Sequence, residues 1–261
     1  GASGMTAPGP VRAVLATAAA LVIAGCAARG PVLAPATAGA GPGRVELEAT
    51  PFFPQERYQC GPAALATVLS AAGAEVTADS LVPEVYIPGR AGSLQTELIA
   101  ATRRHDRVPY VLPQTLDALL ATLDGGLPVL VLQKLGAGPF PGWHYAVVVG
   151  YDASADHFVL RSGTERRKVM SASHFLATWD RAERWALVVL QPGSLPPAAD
   201  FARYMEAAAG LEAVGRLDAA AEAYEAAARA WPTESLPQLA LANLAYARGD
   251  LVAAEQGFHA A

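Results

Sequence analysis

Only two cysteines occur in the 261 residues, Cys26 and Cys60. Each lies in a motif of its own, and if both are committed there, none is left for a disulfide. Charge is also sparse and of mildly acidic balance, 19 basic against 24 acidic side chains, a formal −5. Removing Arg12, the one charge ahead of Cys26, makes this −6. Such a balance argues against nucleic acid or anionic lipid as the main partner. The histidines are few and scattered. His157 and His174 lack metal-ligand spacing to a cysteine or carboxylate pair, His105 sits in a polar run, and His259 is near the last residue. No metal and no cofactor are expected from that pattern. There is no ATP-binding loop, and the apolar run Ala13–Gly25 is too short to span a bilayer as a stable helix.

What is present begins with that run. One basic residue, Arg12, precedes an apolar stretch broken only by Thr17 and ending in small residues, the pattern of a secretory signal over residues 1–25. Its end, Ile23-Ala24-Gly25-Cys26, resembles the lipobox of bacterial lipoproteins. The resemblance implies that the Cys26 thiol is lipidated and that the acylated N-terminus enters a bilayer. Several acyl chains on one residue suffice for stable anchoring. Ala27 stands where aspartate favours inner-membrane retention, so the implied location is the cell envelope, on the outer membrane facing the periplasm. Residues 26–44, rich in Ala, Gly and Pro with no periodic apolar face, read as the lipidated N-terminus and a flexible tether.

The middle of the chain, 45–195, reads as one α+β domain. Pro62 suits a helix's first turn, and Leu65, Val68, Leu69 and Ala72 mark one buried face of a helix over 62–73. Leu94, Leu98 and Ala101 mark a second over 94–104 with Ser93 as cap, and Leu116, Leu119, Leu120 and Leu123 a third starting at Thr115. Short aliphatic strands follow at 128–133, 145–151, 157–161 and 185–190, the middle pair joined by the hairpin-length turn Asp152–Asp156. Helices first and strands second indicate an antiparallel sheet rather than a βαβ alternation.

Cys60 lies just before the first of these helices. A thiol attacks only as thiolate, so its ordinary pKa of about 8.5 has to be lowered. A helix N-terminus and a neighbouring imidazole are expected to do this, giving alkylation below about pH 7. Gly61 is expected to let backbone approach a substrate. His144, at the head of an apolar strand, is the candidate base, with Trp143 and the loop before it forming a cleft wall. Each alone reads as structural, a small buried Cys or a strand-end His. One Cys opening a helix with one His opening a distant strand is a layout of cysteine hydrolases.

Two segments carry a closer likeness: Pro54-Gln55-Glu56-Arg57-Tyr58-Gln59-Cys60-Gly61-Pro62-Ala63 and Trp143-His144-Tyr145-Ala146-Val147-Val148-Val149-Gly150-Tyr151-Asp152. Residues 50–190 resemble the C39-type cysteine peptidases of papain-like fold. That likeness implies Cys60 as nucleophile, His144 as general base and Gln55 as oxyanion donor, acting on a peptide or protein substrate. The family's third member is an Asp followed by Pro. Here the run is Leu160-Arg161-Ser162-Gly163, so Ser162 or a backbone carbonyl is left to orient His144, with Arg161 turned outward if it is the aligned residue. A catalytically weak or inactive peptide-binding module is the alternative, and a thiol acyltransferase or cell-wall peptide amidase a third.

The chain becomes Ala-rich from residue 199. Gly215, Leu217 and Tyr224 recur 34 residues later as Gly249, Leu251 and Phe258, with Pro232 between. This resembles the tetratricopeptide repeat over 199–261, whose helix pairs bind protein partners. Fewer than three units are present, so docking on the preceding domain or on another chain is expected.

Overall fold

The computed structural model describes residues 31–33, 43–55, 59–136 and 142–261. The signal segment, Cys26 and residues 139–141 of the expected cleft wall lie outside the described residues.

Strand β1 (Arg44–Glu46) precedes three helices, α1 (Cys60–Ala71), α2 (Ala78–Val85) and α3 (Gln95–Arg104). Then come β2 (Val108–Val111), α4 (Leu116–Asp124), β3 (Val129–Leu135), β4 (Gly142–Asp152), β5 (His157–Ser162) and β6 (Glu165–Ser171). Helix α5 (Ala172–Asp180) and β7 (Ala186–Leu190) complete this part. All strand pairings are antiparallel, in the order β2-β7-β3-β4-β5-β6, and β1 pairs with the far end of β4. The fold is α+β.

Strict alternation divides the strand side chains between two helix layers. Leu130, Leu132, Tyr145, Val147, Val149, Leu187 and Val189 pack against α1, α2 and α3. Val129, Val131, Ala146, Val148, Val188 and Leu190 pack against α4 and α5. Both faces are covered, which is why these strands read as unbroken apolar runs. Helix α1 is itself buried all round, from Gly61 to Leu69, because it lies between the sheet and α2–α3. The sequence stripe of four residues understated that burial.

The first helix starts two residues earlier than expected, so Cys60 is its first helical residue. Ser93 does not cap α3. Leu94 occupies that position without a side-chain hydrogen bond, and the Ser93 hydroxyl turns toward α1. Strand β6 escaped the sequence reading because its residues Glu165-Arg166-Arg167-Lys168 carry charge rather than alternation, as suits an exposed sheet edge.

The tether expected over 26–44 needs correction. Leu33 is fully buried in the core under the second sheet face, and the backbone N–H groups of Val32 and Leu33 donate to one carboxylate oxygen of Asp156 at 2.8 and 2.9 Å. Composition missed this because one anchoring leucine makes no period.

Four C-terminal helices follow: α6 (Phe201–Ala213), α7 (Leu217–Ala230), α8 (Leu236–Ala247) and α9 (Leu251–Ala260). Gly215 and Gly249, 34 residues apart, both end a helix with positive φ, 77° and 80°. Helix α6 docks on the sheet domain. Tyr204, Ala208 and Leu211 are fully buried in the same core cluster as β2 and α4, and the Tyr204 hydroxyl bonds the carbonyls of Pro192 and Ser194. The Tyr110 hydroxyl accepts from the backbone N–H of Asp200 at 3.0 Å. Gly210 lies directly under the Arg103 guanidinium, where a Cβ would collide with it.

Candidate active site

Cys60 is the first residue of α1, where Pro62 is tolerated because its missing N–H has no intrahelical partner to lose, and where no side chain caps the free N–H groups of Cys60 and Gly61. The N–H groups of Tyr145, Gly61 and Cys60 itself are directed at the thiol and favour its ionised form. Burial acts the other way and wins, pushing the Cys60 thiol above its ordinary value.

His144 is the third residue of β4 and half-buried. Its Nε2 lies 2.8 Å from the Ser162 hydroxyl at the end of β5. A β-bulge between Leu160 and Ser162 sets that end of the strand. Burial, aided by the Lys168 ammonium, lowers His144 to about 4. Among the described residues no carboxylate supports an imidazolium, and desolvation is the largest cause acting on its charge. Thiol and imidazole are therefore both neutral at neutral pH, which corrects the expected preformed thiolate. The pH-rate profile of Cys60 alkylation is accordingly expected to inflect above about 8.5, the ordinary thiol value. An inflection below pH 7 would contradict this neutral pair.

Gln55 is tied to the same corner, since its backbone N–H donates to the Gly163 carbonyl at 3.1 Å, one residue past Ser162. Gln55, Tyr145, Ser162 and Gly163 line one pocket against the α1 residues Ala63, Ala64 and Thr67. Alternation starts the His144 side chain on the side of Ala146, whereas Cys60 comes from the α1 layer. The thiol reaches the backbone N–H of Tyr145, the residue after His144, where β4 begins. They share no hydrogen bond, and Ser162 is the only side chain among the described residues that bonds the imidazole.

Two further positions, Gly61 and Arg161, differ from expectation. Gly61 faces Ser93 rather than open space, so its missing Cβ serves the close packing of the 91–94 loop on α1. Arg161 is not turned outward. It is 5% exposed and donates to the carbonyls of Glu48, Thr50 and Arg166, clamping the segment that leads to Gln55. Trp143 is exposed, with the Lys134 ammonium 5.2 Å over its ring. Sequence reasoning missed Tyr145, whose N–H meets the thiol, whose ring stands edge-on to Trp185 at 6.0 Å, and whose hydroxyl donates to the Ser93 carbonyl at 3.3 Å. Its place immediately after His144 was the only available signal.

Among solved structures the chain resembles a C39-like peptidase from Bacillus anthracis, with 16% identity and a TM-score of 0.47 over 56% of this chain and 97% of that one. It also resembles the peptidase domain of Streptococcus ComA, a bi-functional ABC transporter involved in a quorum sensing pathway, with 19% identity and a TM-score of 0.44 over 54% and 98%. No curated protein matches it. The family model of the Peptidase C39-like family matches residues 47–187, a span that holds Gln55, Cys60, His144 and Ser162, and the chain belongs to that family.

Proposed function

We propose that this protein is a membrane-anchored thiol hydrolase that cleaves peptide bonds, with Cys60 as nucleophile and His144 as general base. The observation that carries the reading is the Ser162–His144 hydrogen bond of 2.8 Å, which engages Nε2 and leaves Nδ1 open for the thiol. As Cys60 Sγ attacks the carbonyl carbon, the imidazole takes the thiol proton. The oxyanion is met by the Cys60 N–H and the Gln55 side-chain amide. Collapse passes the proton from His144 to the leaving amine, and water releases the acyl group from sulfur. Starting from a neutral pair, the site has to move that proton during attack, so turnover is slow. The anchor in this reading is acylated Cys26, and the C-terminal helices, read as tetratricopeptide units, recruit a protein partner through α8 and α9. That pair exposes Tyr246, Leu251, Val252 and Phe258.

A second reading, a peptide-binding module without turnover, draws support from the absence of a carboxylate partner for His144 among the described residues. A peptide-like thiol-directed covalent probe separates the two. Wild-type protein is expected to be labelled at Cys60, Cys60→Ala to be unlabelled there, and His144→Ala to react at least about tenfold more slowly, the lower range for loss of a general base. Equal labelling of wild type and His144→Ala favours the binding module.

A further inference from the structure

We propose that Asp156 and Leu33 form a latch that orients the domain on the membrane, with the β4–β5 turn toward the bilayer and the Cys60 cleft away from it. This rests on the reading of Cys26 as the lipid attachment site. The partner is a lipid surface reached through the anchor.

The argument begins with chain length. Cys26 and Gly43, just before β1, are 17 residues apart in sequence, so an unattached tether would reach about 60 Å at ~3.5 Å per residue. Such a leash imposes no orientation. The structure shortens it. Leu33 is 0% exposed in the core, and the Val32 and Leu33 N–H groups donate to Asp156 at 2.8 and 2.9 Å. Asp156 is held in turn: its backbone carbonyl accepts from the Ala172 N–H at 2.8 Å, where α5 begins. Pro31 is only five residues from Cys26, which caps the reach at under ~20 Å.

The latch is at one end of the sheet. Asp156 lies in the turn after β4, whereas His144 is near the beginning of that strand. Eight residues from His144 to Asp152 at ~3.3 Å each separate the two ends by about 25 Å. A five-residue leash therefore brings the 152–156 turn to the membrane and holds the cleft outward. The peptide it takes is accordingly an extended or soluble segment standing off the bilayer, and not one embedded in it.

The test uses acylated full-length protein in phosphatidylcholine vesicles carrying a headgroup energy acceptor. A donor dye is placed at the exposed position 154 (Ser154→Cys) or at exposed position 90, three residues before the Ser93 that packs on Gly61 (Arg90→Cys), each with Cys60→Ser. Transfer from position 154 is expected to exceed that from position 90 by at least about twofold, since ~25 Å of β4 separates the two ends of the sheet. Asp156→Ala, which releases the latch, is expected to bring the two values together. Equal transfer in acylated protein with Asp156 intact overturns the orientation alone. Absence of acyl mass on the peptide containing Cys26 overturns the anchoring reading, and the orientation with it.

Discussion

Replacing Ser162 by aspartate is expected to raise the rate of peptide hydrolysis by about ten- to thousandfold, the range by which an adjacent opposite charge favours an ionised group. The Ser162 hydroxyl can accept from His144 Nε2–H at 2.8 Å, but it adds no negative charge. A carboxylate there would stabilise the imidazolium that forms when the thiol gives up its proton. The sign on pH follows from the present state. His144 is lowered to about 4, so in wild type the base is neutral at any higher pH and the acid limb of kcat/KM lies near that value. In Ser162→Asp that limb moves up toward neutrality and the alkylation inflection of Cys60 moves down. Ser162→Ala removes the orienting acceptor and lowers the rate with little change in substrate binding. Rates untouched by both substitutions would take Ser162 out of the site.

Deleting residues 199–261 is expected to lower the melting temperature of the remaining domain by about 10 °C or more, or to make it aggregate. The deletion strips Tyr204 and Leu211, both fully buried in the core shared with β2 and α4. Each such side chain contributes about 1.5–3 kcal/mol by burial, and 1 kcal/mol moves Tm by roughly 2–4 °C for a chain of this size. Two point variants localise the effect. Tyr204→Ala is expected to cost about 3–5 kcal/mol, as for other large aromatic truncations. Tyr204→Phe removes only the hydrogen bonds to the Pro192 and Ser194 carbonyls, at about 1–3 kcal/mol for acceptors left without a partner. Unchanged melting of the truncated chain would mean that α6 contributes nothing to the sheet domain.

The local frame is legible in short stretches of the chain. Pro62 with Leu65, Val68 and Leu69 specified the helix headed by Cys60, and His144-Tyr145-Ala146-Val147-Val148-Val149 specified the central strand. Asp152–Asp156 specified the turn between β4 and β5, and the glycines at 215 and 249 specified two equivalent helix ends. Each is a signal confined to a few neighbouring residues, set by helical or strand periodicity or by a backbone conformation that glycine adopts freely. The charge state of the site, the inward course of Arg161, the packing of Gly61 on Ser93, and the contact between Leu33 and Asp156 arise from long-range packing. Leu33 and Asp156 are 123 residues apart, and Arg161 reaches Thr50 across 111. No local pattern encodes such pairings. The pKa values of Cys60 and His144 depend on how much protein covers them and on which charges stand nearby, and those are properties of the packed layers rather than of either motif.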